Sequence, residues 1–161
     1  MNAFERIARL AFSISDAPSD LPDDEHPFAT RNIDEGLPAK VRDLFDDGHY
    51  TQATFEAFKF VDEYVRSKSG VNETGFKLMM RTFDPEKPVI ALNGNTTMSE
   101  RDEQDGFRFL FAGSMLAIRN PRGHDTTVSD GPDVCLDHLA LASLLLRRLR
   151  AAEDDRPAVE G

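Results

Sequence analysis

The last long apolar segment, residues 133–150 ("DVCLDHLALASLLLRRLR"), limits the possible folds more than any other feature of the chain. At helical spacing, its apolar side chains cover most of the circumference. A helix of that kind must be covered on more than one side, either by other helices of its own chain or by a second copy. The segment therefore predicts a helix at the centre of a bundle or at a dimer contact.

Helical patterns recur along the chain before this segment. The spacing of apolar residues predicts helices over 38–47 and 50–67, and a shorter helix after Thr74. A further helix is predicted to begin at Ser99, whose hydroxyl can cap the first turn, with Asp102 at the capping-box distance.

The segment between the third helix and Ser99 interrupts this rhythm. "PVIAL", residues 88–92, precedes an Asn-Gly turn signal and predicts a brief strand. In the helix that follows, Gly106 and Gly113 each cost about 1 kcal/mol relative to alanine, which suggests close approach of another helix. The elements together predict an all-α, up-and-down helical bundle with a short irregular or hairpin insertion.

Acidic residues are concentrated at the two ends of the chain. The net charge is −10 over 161 residues, with −5 in residues 1–36, −3 in residues 151–161 and +1 in residues 104–150. We expect an acidic N-terminal segment over 1–36, containing a flexible linker and either a short amphipathic helix or a frayed end. A helical domain is expected over 37–150 and a disordered tail over 151–161. A polyanion can approach only the 104–150 region.

The sequence carries no targeting or membrane signal. No stretch approaches the roughly 18 consecutive apolar residues of a membrane helix, and charges interrupt the first twelve residues where a signal peptide needs an apolar run. We therefore expect a cytoplasmic protein without a membrane partner. Cys135 is the only cysteine, and the histidines lack ligand spacing, so we expect no metal and no cofactor.

The stretch "LAIRNPRGHDTT", residues 116–127, carries the residues best suited to chemistry. Pro121 disfavours helical geometry at Asn120, so the helix is predicted to end near Arg119, with His124 returning beside it from a short loop. Arg119 can stabilise phosphate charge and His124 can exchange a proton, which suits RNA cleavage by its own 2′-hydroxyl without a metal. The alternative is that Arg119 caps the helix and His124 fills a loop.

Four neighbouring residues are weaker candidates. Arg122 is predicted to add a phosphate contact, and Asp125 either holds the imidazole tautomer or turns the loop. Glu56 and Glu63 lie on a helix that should pack near the motif. One interpretation is that either acid orients Arg119 or His124 without itself contacting the substrate. The other is that both are solvated acids that lie beside basic residues at helical spacing.

The chain resembles the Ymh-type conserved hypothetical family, which is placed within the HEPN superfamily. The resemblance covers about residues 37–150 and rests on three ordered segments: "GHYTQATFEAFKFVDEYVRSKSG", "DEQDGFRFLFAGSMLAIRNPRGHD" and "LDHLALASLLLRRL". HEPN proteins are small all-α bundles that typically dimerise. Many are metal-independent ribonucleases of toxin–antitoxin, CRISPR and phage-defence systems.

This resemblance implies roles for particular residues. The shared HEPN motif is an arginine, a polar residue, a few variable positions and a histidine, which correspond to Arg119, Asn120 and His124. In active members, the motifs of two subunits face each other across one cleft. The resemblance thus implies a homodimeric endoribonuclease with an RNA substrate, and an antitoxin or defence-system partner. The alternative is a non-catalytic module of the same fold that binds a nucleotide or RNA or serves as a scaffold.

Overall fold

A computed structural model describes residues 25–125 and 127–154, in which the chain forms helices and loops but no strand. This confirms the all-α prediction. The helices, in chain order, are α1 (Pro27–Thr30), α2 (Ala39–Asp46), α3 (Tyr50–Ser69), α4 (Gly75–Thr82), α5 (Met98–Ser114), a π-helical turn (Met115–Arg119), α6 (Asn120–His124) and α7 (Pro132–Asp154).

The two longest helices, α3 and α7, pack together, and α3 is the central one, since it also contacts α2, α4, the π-helical turn and α6. Both the N-terminal and the C-terminal halves of α7 are buried against the rest of the chain, through Cys135, Leu136, Leu139, Ala142, Ser143, Leu145, Leu146, Leu149 and Ala152. Much of the apolar surface of α7 is therefore buried inside one chain, against α3 and the N-terminal residues. Val134 and Leu144 are each 46% exposed, so the alternative of a dimer contact through α7 stays a prediction.

The folded part extends beyond residues 37–150 at both ends. Ile33 and Leu37 are buried, and Asp34 accepts a 2.7 Å hydrogen bond from Nη1 of Arg150, so residues 25–36 are not the loosely attached segment that their composition predicts. Burial of apolar side chains and the arginines of α7 hold them. The predicted N-terminal amphipathic helix and most of the predicted tail lie outside the described residues.

The insertion before α5 differs from its prediction in two respects. The N-cap of α5 is Thr97 and not Ser99, because Thr97 and Glu100 form a reciprocal capping box. Residues 88–92 form no strand, since no second strand lies beside them within the described residues. The amide of fully buried Gln104 binds their backbone instead, accepting from the Leu92 N–H at 2.8 Å and donating to the Ile90 carbonyl at 3.1 Å. It also donates to the carbonyl of Phe83, just after α4.

One side of α5 has no cover within the described residues. Outside its own helix, no described atom lies within 4 Å of a Cβ built on Gly106 or Gly113, so none of the described helices packs there, contrary to expectation. Phe109, Leu110 and Leu116 are each about half exposed on the same side. We refer to Gly106, Phe109, Leu110, Gly113 and Leu116 as the α5 face. None of the described helices has both the length and the apolar character required to span a bilayer.

Candidate functional site

The helix that carries the motif does not end at Arg119 as predicted. It passes through the π-helical turn, in which the Asn120 N–H donates to the Met115 carbonyl five residues earlier, and continues as α6 to His124. Pro121 cannot donate a backbone hydrogen bond, and its ring clashes with the carbonyl four residues before it. The wider π-helical turn accommodates the proline without breaking the helical path.

Arg119 lies between α3 and the start of α4. Its guanidinium carbon is 5.8 Å from the centre of the Phe55 ring, and Nη1 donates a long, 3.3 Å hydrogen bond to Oδ1 of Asn120. Nη1 is also 4.0 Å from the position of a Cβ built on Gly75. The side chain is thus held over an aromatic face, with its donor edge beside the first turn of α4.

Arg119 differs from the other partly buried cationic side chains in having no acidic partner among the described residues. Among residues 25–125 and 127–154, it is the one partly buried lysine or arginine without a carboxylate oxygen within 4.0 Å. Its Nε is buried and has no hydrogen-bond partner among the described residues. A partly buried cation without a counter-charge is suited to binding an anion from solution.

His124 is exposed at the end of α6 and forms no hydrogen bond or ion pair with the described residues. Five helical positions separate it from Arg119, which corresponds to a rise of about 7.5 Å and a rotation of about 140° around the axis. No described contact joins the two side chains. One chain therefore places both groups on one short stretch of helix without bringing them together.

Arg122 points inward, away from the exposed surface of α6. Its Nε donates to Oδ2 of Asp130 at 2.6 Å, its Nη2 donates to Oδ1 of Asp130 at 2.5 Å, and its Nη1 donates to the Ile118 carbonyl at 2.9 Å. Burial alone would raise the pKa of Asp130, but the hydrogen bonds and the charge of Arg122 outweigh it and lower that pKa. The predicted phosphate contact of Arg122 therefore has to compete with a buried ion pair.

Asp125 turns the loop that follows α6. Its Oδ1 accepts hydrogen bonds from the hydroxyl of Thr127 at 2.6 Å and from the Thr127 N–H at 2.8 Å. These two bonds, the hydroxyl first, lower the pKa of Asp125. The carboxylate forms no described hydrogen bond with His124, so the geometry favours the turn-forming role over the role of holding the imidazole.

The acidic residues of α3 are engaged elsewhere or exposed. Glu56 forms ion pairs with Lys40 at 3.0 Å and with Lys59 at 4.0 Å. Glu63 is exposed and has no described hydrogen bond or ion pair. Neither contacts Arg119 or His124, so their predicted orienting role gains no support. Asp62, one residue earlier, is buried and accepts a hydrogen bond from the Gly75 N–H at the start of α4.

Two residues of the site were missed by sequence reasoning. Phe55 contacts both Arg119 and Gly123, since a Cβ on Gly123 would lie 2.7 Å from Cε2 of the Phe55 ring. The single available signal was that Phe55 lies off the apolar face of α3. Asp130, the partner of Arg122, lies in the loop between α6 and α7, and no rule of residue spacing connects it with the motif.

A buried polar cluster surrounds the Arg122–Asp130 pair. His138 lies on α7, and burial, followed by the charge of Arg122, lowers its pKa. Cys135, one helical turn earlier, is fully buried, and burial raises the pKa of its thiol. Within the described ranges, no three His, Cys, Asp or Glu side chains are grouped to hold a metal ion.

Comparison with known proteins gives one match. The model of a family described as "Protein of unknown function (Hypoth_ymh)" matches residues 31–149, which include all seven candidate residues discussed above. No curated protein and no solved structure matches the chain. The matched range coincides with most of the described helical bundle.

Proposed function

The chain belongs to the Hypoth_ymh family, and we propose that it is a metal-independent endoribonuclease of the HEPN type, acting as a toxin or phage-defence effector. One observation carries the proposal. Arg119 is partly buried, has no carboxylate partner among the described residues, and lies one short helix away from an exposed histidine. The sequence resemblance to HEPN proteins supplies the reaction class and the biological role.

Each residue of the motif has a distinct part in the proposed reaction. His124 takes the proton from a ribose 2′-hydroxyl, and the 2′-oxygen attacks the adjacent phosphorus. The bond from phosphorus to the 5′-oxygen breaks, and a protonated histidine or water gives a proton to that oxygen. Arg119 stabilises the negative charge on the non-bridging oxygens, while Asn120 orients Arg119 through its amide oxygen. The products are a 2′,3′-cyclic phosphate and a 5′-hydroxyl.

We further propose that the site is completed by a second copy of the chain. Within one chain, Arg119 and His124 make no contact, and none of the described side chains forms a hydrogen bond that would orient the imidazole. The α5 face continues directly into the π-helical turn that carries Arg119, and its two glycines have no packing role within the described residues. Apposition of two α5 faces would bury the exposed aromatic and leucine side chains beside two motifs.

The alternative is a non-catalytic nucleotide-binding or RNA-binding module, or a scaffold of the same fold. The absence of an orienting hydrogen bond to His124 among the described residues favours this alternative. It predicts RNA binding that weakens with salt and with loss of Arg119, and no cleavage product.

Incubation of end-labelled total RNA with the purified protein in EDTA tests the proposal. The wild type should yield fragments with cyclic-phosphate ends, and Arg119→Met and His124→Ala should each reduce cleavage by at least about 100-fold. His49→Ala is the matched control, since His49 is also exposed but lies outside the motif. If the wild type binds RNA without cutting it, the binding module is correct. If it neither binds nor cuts, both functions are refuted.

Dimerisation has its own test. Phe109→Asp should convert the dimer into a monomer in analytical ultracentrifugation and abolish cleavage, whereas Met98→Asp should do neither. Met98 is 81% exposed and lies at the far end of α5, outside the α5 face. A monomeric wild type that still cleaves RNA would refute the composite site.

A further inference from the structure

Few side chains of the α6 helix hold it in place, although Gly123 packs against the Phe55 ring of α3. None of its five residues is buried, and it contains both Pro121 and Gly123. It is the end of a longer helix, and Pro121 cannot donate the backbone hydrogen bond that would tie it to the preceding turn. Arg119 immediately precedes α6 and His124 ends it, so the relative position of these two groups must be fixed by contacts from outside α6.

Arg122 is the side chain of α6 that supplies such contacts. Its fork of donors meets both oxygens of Asp130, and a third donor binds the Ile118 carbonyl. The Arg122 and Asp130 side chains are only 8% and 4% exposed. A two-point pairing of guanidinium and carboxylate fixes orientation as well as distance.

Asp130 is in turn anchored to the centre of the bundle. Its N–H donates a 2.8 Å hydrogen bond to the hydroxyl of Thr51 on α3, and α7 begins two residues later at Pro132. Ile118 belongs to the π-helical turn. The pair therefore connects α6 with the π-helical turn, with α3 and with the start of α7.

The titratable side chains on α7 that lie closest to the Arg122–Asp130 pair are uncharged near neutral pH. They are His138 and Cys135, and the hydroxyl of Thr54 on α3 also faces the pair. Asp137, also on α7, acts on His138 and is paired with Arg31 at 2.9 Å. The lowered pKa of His138 favours a neutral imidazole near neutral pH, so this residue does not compete with Arg122 for the carboxylate. The raised pKa of Cys135 keeps the thiol protonated.

We propose that the Arg122–Asp130 pair is a positioning device that holds Arg119 and His124 in one geometry on the surface of the bundle. The inference rests on the proposed function and gives Arg122 a role other than the phosphate contact predicted from the sequence. Neither side chain of the pair touches RNA. Both act through α6, by preventing the turn from shifting when the substrate binds.

Asp130→Asn tests the role, with Asp34→Asn as the matched control. Asp34 is also a nearly buried carboxylate, 7% exposed, that accepts from an arginine of α7. That arginine, Arg150, lies about 27 Å along α7 from Pro132, far from α6. Both variants remove one charge from a similar ion pair, but only Asp130→Asn removes it from the motif. Arg122→Lys keeps the charge without the fork and is the second test variant.

Two readouts separate positioning from general stability. By mass spectrometry, hydrogen exchange of the backbone amides in residues 119–125 should be at least about tenfold faster in Asp130→Asn and in Arg122→Lys, and unchanged in Asp34→Asn. For RNA cleavage, kcat should fall about 10- to 100-fold in the two test variants, with KM changed by less than about threefold. In Asp34→Asn, kcat should remain within about twofold of the wild type.

The outcomes distinguish this inference from the proposed function. Unchanged exchange in folded Asp130→Asn, or faster exchange with wild-type kcat, overturns the positioning role. If Asp130→Asn does not fold, Arg122→Lys carries the same expectations. A wild type that neither binds nor cleaves RNA refutes the proposed function. In that case, hydrogen exchange in Asp130→Asn and Arg122→Lys alone decides whether the ion pair holds α6 in place. Unchanged exchange overturns the positioning role, and faster exchange supports it.

Discussion

Replacement of Arg119 by methionine should leave the protein about as stable as the wild type, or more stable. The guanidinium has two weak partners, the Asn120 amide at 3.3 Å and the Phe55 ring at 5.8 Å. These contribute about 0.5 kcal/mol and about 0.5–1 kcal/mol respectively. The buried Nε without a partner costs about 1–3 kcal/mol, and methionine removes that cost while keeping volume and helix propensity.

The expected change in the free energy of unfolding therefore lies between about 0.5 kcal/mol lower and about 2 kcal/mol higher than wild type. The same substitution three residues later should have the opposite effect. Arg122→Met leaves the nearly buried carboxylate of Asp130 without its partner and should cost about 3 kcal/mol or more. The two arginines differ because only one has its counter-charge inside the described structure.

Urea unfolding followed by far-ultraviolet circular dichroism measures both variants, with an unchanged m-value as the check on two-state behaviour. For a chain of this length, each kcal/mol corresponds to about 2–4 °C in Tm. A loss of more than about 1.5 kcal/mol in Arg119→Met would show that the guanidinium stabilises the fold. The argument that Arg119 is held ready for an anion would then fail.

Three further predictions concern other parts of the chain. Gln104→Leu leaves three backbone groups near residues 83–92 unpaired and should cost about 2–5 kcal/mol in urea unfolding, whereas Gln52→Leu, on the exposed side of α3, should change stability by less than about 0.5 kcal/mol. Hydrogen bonds from the Thr97 and Thr96 backbone and hydroxyl groups lower the pKa of Glu100 from 4.5 to about 2. Between these two pKa values the unfolded state binds more protons than the folded state, so the stability of the wild type should fall as the pH is lowered through this range. The stability of Glu100→Gln should fall less over the same range. The buried thiol of Cys135 should react with a disulfide reagent only after unfolding, and reaction in native buffer would contradict its burial.

Helical spacing was sufficient to predict the fold class and most helices. Residues 50–67 carry apolar side chains at intervals of three and four, and Gly70, in a left-handed conformation, ends α3 where a glycine is favoured. These are local signals, because hydrogen bonds within a helix connect residues four positions apart. The N-cap of α5 was misplaced by two residues, since Thr97 and Ser99 both precede an acid at the capping-box distance.

The candidate motif was recognisable in the sequence, but the state of each residue was not. Arg119 and Arg122 look equivalent in "IRNPRGH", and both were predicted to contact phosphate. The structure pairs Arg122 with Asp130 and leaves Arg119 beside Phe55 without a carboxylate. The pairing depends on the position that Asp130, eight residues after Arg122, takes in the folded loop. No pattern of neighbouring residues predicts that position.

The sequence by itself determined the all-α bundle, the long apolar last helix and the place of the candidate motif in the chain, because helix periodicity acts over one or two turns. Only the tertiary structure decided that the helix continues past Pro121, that residues 25–36 pack against α7, and that the α5 face is left uncovered by the described residues. Those outcomes depend on which distant groups meet. Burial and pairing energies are set by contacts between residues far apart in the chain, and these exist only once the chain has folded.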